Sequence, residues 1–154
     1  MNEPISRWAE KWGVSSAALD DLRASITSTD PAVSTEGSEA GVLSRVRLEA
    51  SQKGIRLFRN NIGAATDERG HYVRFGLCND SPQISKILKS SDLIGIRPVR
   101  LPDGGLIGQF VAREIKKPGW KYTGAGREKA QLNFLQLIKS FGGDACFATG
   151  EGTI

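Results

Sequence analysis

Residues 92–116 read Asp-Leu-Ile-Gly-Ile-Arg-Pro-Val-Arg-Leu-Pro-Asp-Gly-Gly-Leu-Ile-Gly-Gln-Phe-Val-Ala-Arg-Glu-Ile-Lys. Two runs rich in Ile, Val, Leu and Phe flank Pro102-Asp103-Gly104-Gly105, a strong hairpin turn signal. The first run, Asp92 to Val99, and the second, Leu106 to Lys116, are therefore expected as neighbouring strands. Side chains two apart on a strand point to one face. Glu114 and Lys116 project together on that rule, and Asp92 can join them from the neighbouring strand. Arg113 and Lys117 fall on the opposite face.

Working upstream, residues 39–53 carry a helical period, with Val42, Val46 and Glu49 at i, i+4 and i+7. Glu49 is thus an acid in phase with an apolar stripe, where a lone carboxylate is costly without a partner. A position at the stripe's edge, in water, is the competing reading. Gly54 ends that helix, Ile55 to Asn60 reads as a strand, and Tyr72 to Leu77 as a second, after a turn holding Asp67 and Gly70. Residues 84–88 fit a short helix. Downstream, Pro118 to Gly126 is a glycine-containing loop; no Gly-Lys-Ser/Thr follows, so it is not a phosphate-binding P-loop. Residues 127–141 form a helix with Gln131, Leu135 and Ile138 on one face, Gly142 and Gly143 stop it, and Ala145 to Thr149 is a last apolar strand. The order predicts an α/β domain, a mixed central sheet flanked by helices.

Residues 5–26 predict two short helices. Trp8 and Trp12, four apart, share a face, and Ser15 caps the second helix. Residues 27–40 are a polar linker. The expected division is a helical arm and linker over 1–36 and a main domain over 37–154.

The 154-residue chain has a net charge of +4, unevenly spread. Residues 1–40 hold three basic and seven acidic side chains (net −4), and residues 41–154 eighteen and ten (net +8). The basic part carries the carboxylates, as a polyanion-binding surface requires. The acidity of the first segment argues against a DNA-reading helix-turn-helix there. No apolar run approaches the ~20 residues that span a membrane, and the N-terminus lacks signal-peptide character; a cytoplasmic protein is expected. Cys78 and Cys146 form no metal-ligand motif, and Cys146 reads as a small core residue. His71, the only histidine, sits beside Gly70 in a turn and reads as a surface residue.

Two carboxylates can hold a hard divalent cation, and a lysine beside them can orient a water or a phosphate oxygen. Those parts suit metal-dependent phosphodiester cleavage.

The ordered set of Asp92, Glu114-Ile115-Lys116, a preceding helix with Glu49 and a following helix with Gln131 resembles the PD-(D/E)XK nuclease superfamily. Within it, the chain looks most like the VRR-NUC group. Asn61-Ile62-Gly63, Ser91-Asp92-Leu93-Ile94-Gly95, Gln131-Leu132-Asn133-Phe134-Leu135 and Gly142-Gly143 add to the likeness, which covers about residues 41–150. Ser91 stands where the superfamily's name has proline. The resemblance implies a restriction-endonuclease-like core in α-β-β-β-α-β order behind an N-terminal helical arm. It implies Mg²⁺ or Mn²⁺ on Asp92, Glu114 and the Ile115 carbonyl, with Glu49 joining directly or through a water. Lys116 would position the attacking water and stabilise developing charge. Gln131 would hold Lys116 or the phosphate. Arg113, Lys117, Lys121 and Arg127 are candidate nucleic-acid contacts. The implied activity is a DNA endonuclease of the Holliday-junction-resolvase kind, acting on branched DNA as a homodimer from a phage or bacterium. The alternatives are a non-catalytic DNA-binding module on the same fold, and a regulator led by residues 5–26.

Overall fold

The computed structural model describes residues 3–19 and 37–154. The chain divides into two compact units, Met1–Val33 and Ser34–Ile154. In the first, α1 (Glu3–Trp12) forms as the tryptophan spacing predicts. Trp8 and Trp12 are both exposed, with Lys11 Nζ 5.6 Å from the Trp12 ring centre. A new helical stretch opens at residue 16, and the Ala18 amide donates to Ser15 Oγ at 3.2 Å. The rest of that expected helix, and the linker through residue 36, lie outside the described residues.

The second unit begins with α2 (Glu39–Gln52), capped by Ser38, whose hydroxyl accepts from the Gly41 amide at 3.1 Å. A serine oxygen at this position satisfies an amide that has no partner within the helix. The strands β1 (Arg56–Arg59), β2 (Gly63–Thr66) and β3 (Tyr72–Phe75) follow, then a short helix, α3 (Pro82–Ile87). The long strands β4 (Leu93–Arg100) and β5 (Leu106–Ile115) precede α4 (Gly126–Ser140) and β6 (Asp144–Ala148).

The main sheet has the order β1-β4-β5-β6. β1 and β4, and β4 and β5, are antiparallel, whereas β6 runs parallel to β5. The sheet is therefore mixed, as expected. The β4–β5 turn forms where Asp103-Gly104-Gly105 predicts: Asp103 Oδ1 accepts from the Gly105 amide at 2.8 Å, and Gly104 adopts φ 85°. Gly95 is needed for a different reason. A side chain there would overlap the Arg56 carbonyl on β1, so only glycine lets β1 and β4 pair this closely.

The sheet buries both faces. On one, α2 packs Val42, Val46 and Ala50 against Leu93, Val111, Ile115 and Ala148. On the other, α4 packs Phe134 and Leu135 against Ala112 and Ala145. Alternation along β5 thus sends Ile115 toward α2 and Glu114 toward α4. No sequence signal pointed to β2, which pairs with β3 as a separate two-stranded hairpin. Among the described residues, no helix is long and apolar enough to cross a membrane. Both cysteines are free and half-buried. His71 is exposed and lies 3.2 Å from Asp67 Oδ2.

Candidate active site

The β4–β5 ladder runs from the Arg100–Leu106 pair to Leu93–Arg113. Just past it, Asp92 stands at the end of the sheet rather than inside a strand. Both neighbours hold it. The Ile115 amide donates to Asp92 Oδ2 at 2.9 Å, and the Asn60 amide donates to the Asp92 carbonyl at 2.8 Å. In an extended strand the amide and carbonyl of one residue point the same way. The Ile115 carbonyl therefore faces the Asp92 side of β5.

On the α4 face, Glu114, Lys116 and Gln131 form a closed triangle. Lys116 Nζ lies 3.0 Å from Glu114 Oε1 and 3.0 Å from Gln131 Oε1. Gln131 Nε2 donates to the same Glu114 oxygen. Gln131 is a buried polar residue on an apolar helix face, and these two bonds satisfy it. The Lys116 ammonium also lies 5.7 Å from the Trp120 ring centre and 5.8 Å from that of Phe147, so its surroundings are fixed on that side as well.

Glu114 is only 3% exposed. Burial raises its pKa, and the nearby Asp92 charge raises it further. Lys116 and Arg127 act the other way but do not cancel them, and the value reaches about 7. Near neutral pH this carboxyl is thus poised between its two forms. The donor set fits a hard divalent cation. Two carboxylates converge at the sheet's end, and one of them lacks enough positive charge to ionise fully. A cation there would supply that charge. Among the described residues, no group of three or more His, Cys, Asp or Glu side chains gathers to hold a metal, so Asp92 and Glu114 stand as a pair.

The remaining candidates lie elsewhere. Glu49 is on α2, across the sheet from Glu114. Its Oε1 accepts from Lys53 Nζ at 2.7 Å and its Oε2 from the Gly152 amide at 2.9 Å. The Lys53 bond outweighs the opposing effect of burial and, with the Gly152 amide assisting, holds its pKa below the ordinary value. The buried stripe of α2 runs Val42, Val46, Ala50, which leaves Glu49 at its margin. The structure does not bring Glu49 to the Asp92–Glu114 pair. Arg113 is corrected as a surface contact, because it is 1% exposed. Its guanidinium donates to Asp144 Oδ2 at 2.6 Å, to the Ala112 and Asp144 carbonyls at 2.9 Å each, and to the Thr153 carbonyl. Lys117, Lys121 and Arg127 are exposed, as a polyanion contact requires.

Asp92, Glu114 and Gln131 open into a cavity of about 470 Å³. Asn61 to Ala64, Tyr72 and Arg74, from β2, β3 and the chain leading into them, also line it. Lys89 and Arg127 lie at the same cavity. Sequence reasoning missed this part of the lining. Gly63-Ala64-Ala65-Thr66 offers neither alternation nor bulky β-formers. Tyr72 was legible as a strand residue, with nothing local to link it to Asp92 twenty positions later. No family model, curated protein or solved structure matches the chain.

Proposed function

We propose that this protein is a Mg²⁺- or Mn²⁺-dependent nuclease that hydrolyses DNA phosphodiester bonds, with a restriction-endonuclease-like core. The observation that carries the reading is the meeting of Asp92, Glu114 and Gln131 at one cavity, with Lys116 held against both Glu114 and Gln131. The mixed main sheet flanked by α2 and α4 suits such a core, and the net charge of +8 over residues 41–154 suits a polyanionic substrate.

Asp92 and Glu114 would hold the cation, with the Ile115 carbonyl as a further oxygen donor. When bound, such a cation lowers the pKa of its water and offsets phosphate charge. Lys116 faces the same side and acts electrostatically on charge developing at the phosphate. Gln131 positions Lys116 through its 3.0 Å bond. Branched DNA is the favoured substrate and a two-fold dimer the favoured form, since two opposed sites suit paired cuts.

The test is cleavage of a labelled four-way junction, a flap and a linear duplex in Mg²⁺, Mn²⁺ or EDTA. Wild type is expected to cut with either metal, and Asp92→Ala and Lys116→Ala to lose at least a hundred-fold in rate, on the order expected for electrostatic groups at a reacting centre. Equal cleavage by all three proteins would sink the assignment. Binding without cleavage in any metal would favour a non-catalytic DNA-binding module.

A further inference from the structure

We propose that the cavity beside Asp92 and Glu114 is a subsite for one unstacked nucleotide, with Tyr72 as the stacking surface for its base. This rests on the nuclease reading and names the feature of DNA that the site would select.

Four observations carry it. The volume, about 470 Å³, falls within the roughly 300–1,000 Å³ of sites that enclose a small ligand. The cavity is continuous with the two carboxylates, so an occupant lies next to the place where a phosphate would react. Tyr72 lines it with 67% of its surface exposed, which makes the ring of little use to the fold. That ring is nevertheless held. The Arg74 guanidinium lies 5.9 Å from its centre, and Arg74 itself is fixed by donating to the Asn79 carbonyl at 3.1 Å and to Ser85 Oγ at 3.2 Å. An exposed aromatic face backed by an immobilised cation is a stacking platform for a base.

The polar groups around it are complementary to a nucleotide. Among the described residues, the exposed Asn61 side-chain amide makes no hydrogen bond, so both its donor and its acceptor are free to meet a base edge. Lys89 and Arg127 have no carboxylate within ion-pair distance among the described residues and can meet flanking phosphates. The carboxylates of Asp92 and Glu114 repel a phosphate at the inner end unless a cation lies between. A paired base shows the protein only its edge and cannot enter a concave site. A base must leave the stack to fill it. The ligand class is therefore DNA with an extrahelical or unpaired nucleotide.

The test is fluorescence anisotropy in Ca²⁺, a hard cation that can sit between the carboxylates and a phosphate, comparing a duplex that carries one extrahelical nucleotide with a fully paired duplex of equal length. Wild type is expected to bind the first about ten-fold more tightly, the scale of one base stacked on an aromatic side chain. Tyr72→Ala should lose that preference and Tyr72→Phe should keep it. Asn61→Ala should keep the preference but bind all four extrahelical bases alike. Thermal melting checks that the variants fold. Equal wild-type affinities, or a preference unchanged in Tyr72→Ala, would overturn the subsite. Preference without cleavage in Mg²⁺ or Mn²⁺ would leave the subsite standing and remove the nuclease. Lys116-dependent cleavage of both duplexes at equal affinity would do the reverse.

Discussion

Glu114→Gln tests the electrostatics of the site without requiring any activity. The glutamine keeps the shape and an oxygen that can accept from Lys116 Nζ and Gln131 Nε2, but it carries no charge at any pH. In the wild type, burial and the Asp92 charge raise the Glu114 pKa from the ordinary 4.5 to about 7. At ~1.4 kcal/mol per decade this is about 3 kcal/mol. The native carboxyl holds its proton more tightly than the unfolded one. The stabilisation it provides is fully present below about pH 4.5 and is lost as pH rises through about 7. A chain of this size shifts its midpoint by roughly 2–4 °C per kcal/mol. The metal-free wild type should thus lose on the order of 10 °C between pH 4.5 and 8, relative to Glu114→Gln over the same range. Groups that do not interact with Glu114 are common to both proteins and drop out of the difference. The assay is thermal melting in EDTA at half-unit pH steps. Saturating Mg²⁺ at pH 8 should restore the wild type and do little for the variant, since a ligand stabilises only the state that binds it. Parallel pH profiles would refute the reasoning.

Two further outcomes follow from the opposite face of the sheet. Asp144→Ala removes the carboxylate that faces the buried Arg113 and should cost about 3 kcal/mol, the scale of an uncompensated buried charge, read as a lowered midpoint in urea; a change under 1 kcal/mol would mean that the backbone carbonyls alone suffice for Arg113. Glu49→Gln should weaken the attachment of residues 152–154 and leave Mg²⁺ affinity, measured by calorimetry, unchanged, because both Glu49 oxygens are engaged by Lys53 and Gly152. A ten-fold loss of Mg²⁺ affinity would instead place Glu49 in the metal site.

What the sequence made legible was local. The turn at Pro102-Asp103-Gly104-Gly105 carries its own chemistry, and it set the register that puts Asp92 beside Glu114. Gly142 and Gly143 marked the end of α4 as plainly. The rest depended on what lies across space. Alternation along β5 placed Arg113 opposite Glu114 but could not say that α2 covers that face, and a cation read as a surface contact is in fact buried. Helical phase placed Glu49 three residues after Val46, but Ala50, four after it, takes the inward position. Glu49 then finds its partner 103 residues further on, at Gly152, a distance no local pattern spans. The β2–β3 hairpin escaped for a third reason: a strand of Gly and Ala gains its stability from pairing, not from side chains that announce it.

Arg113 and Glu114 are neighbours in sequence and opposites in electrostatics, and the contrast says what each is for. Each takes part in a buried ion pair between an acid and a base. Desolvation alone would raise the pKa of both carboxyls. Asp144 overcomes it because two guanidiniums converge on the carboxylate, Arg113 at 2.6 Å and Arg97 at 2.7 Å, and its pKa falls below the ordinary value. Glu114 has one ammonium at 3.0 Å and a second carboxylate, Asp92, nearby, and its pKa rises. The first cluster is saturated with positive charge and joins β5, β6 and the last residues of the chain. The second is short of positive charge by about one unit, at the only one of the two clusters that opens into the cavity beside Asp92. A fold that needed only rigidity there would gain from replacing Glu114 by a neutral residue. Its presence beside Asp92 costs stability near neutral pH, a cost that the proposed cation would offset.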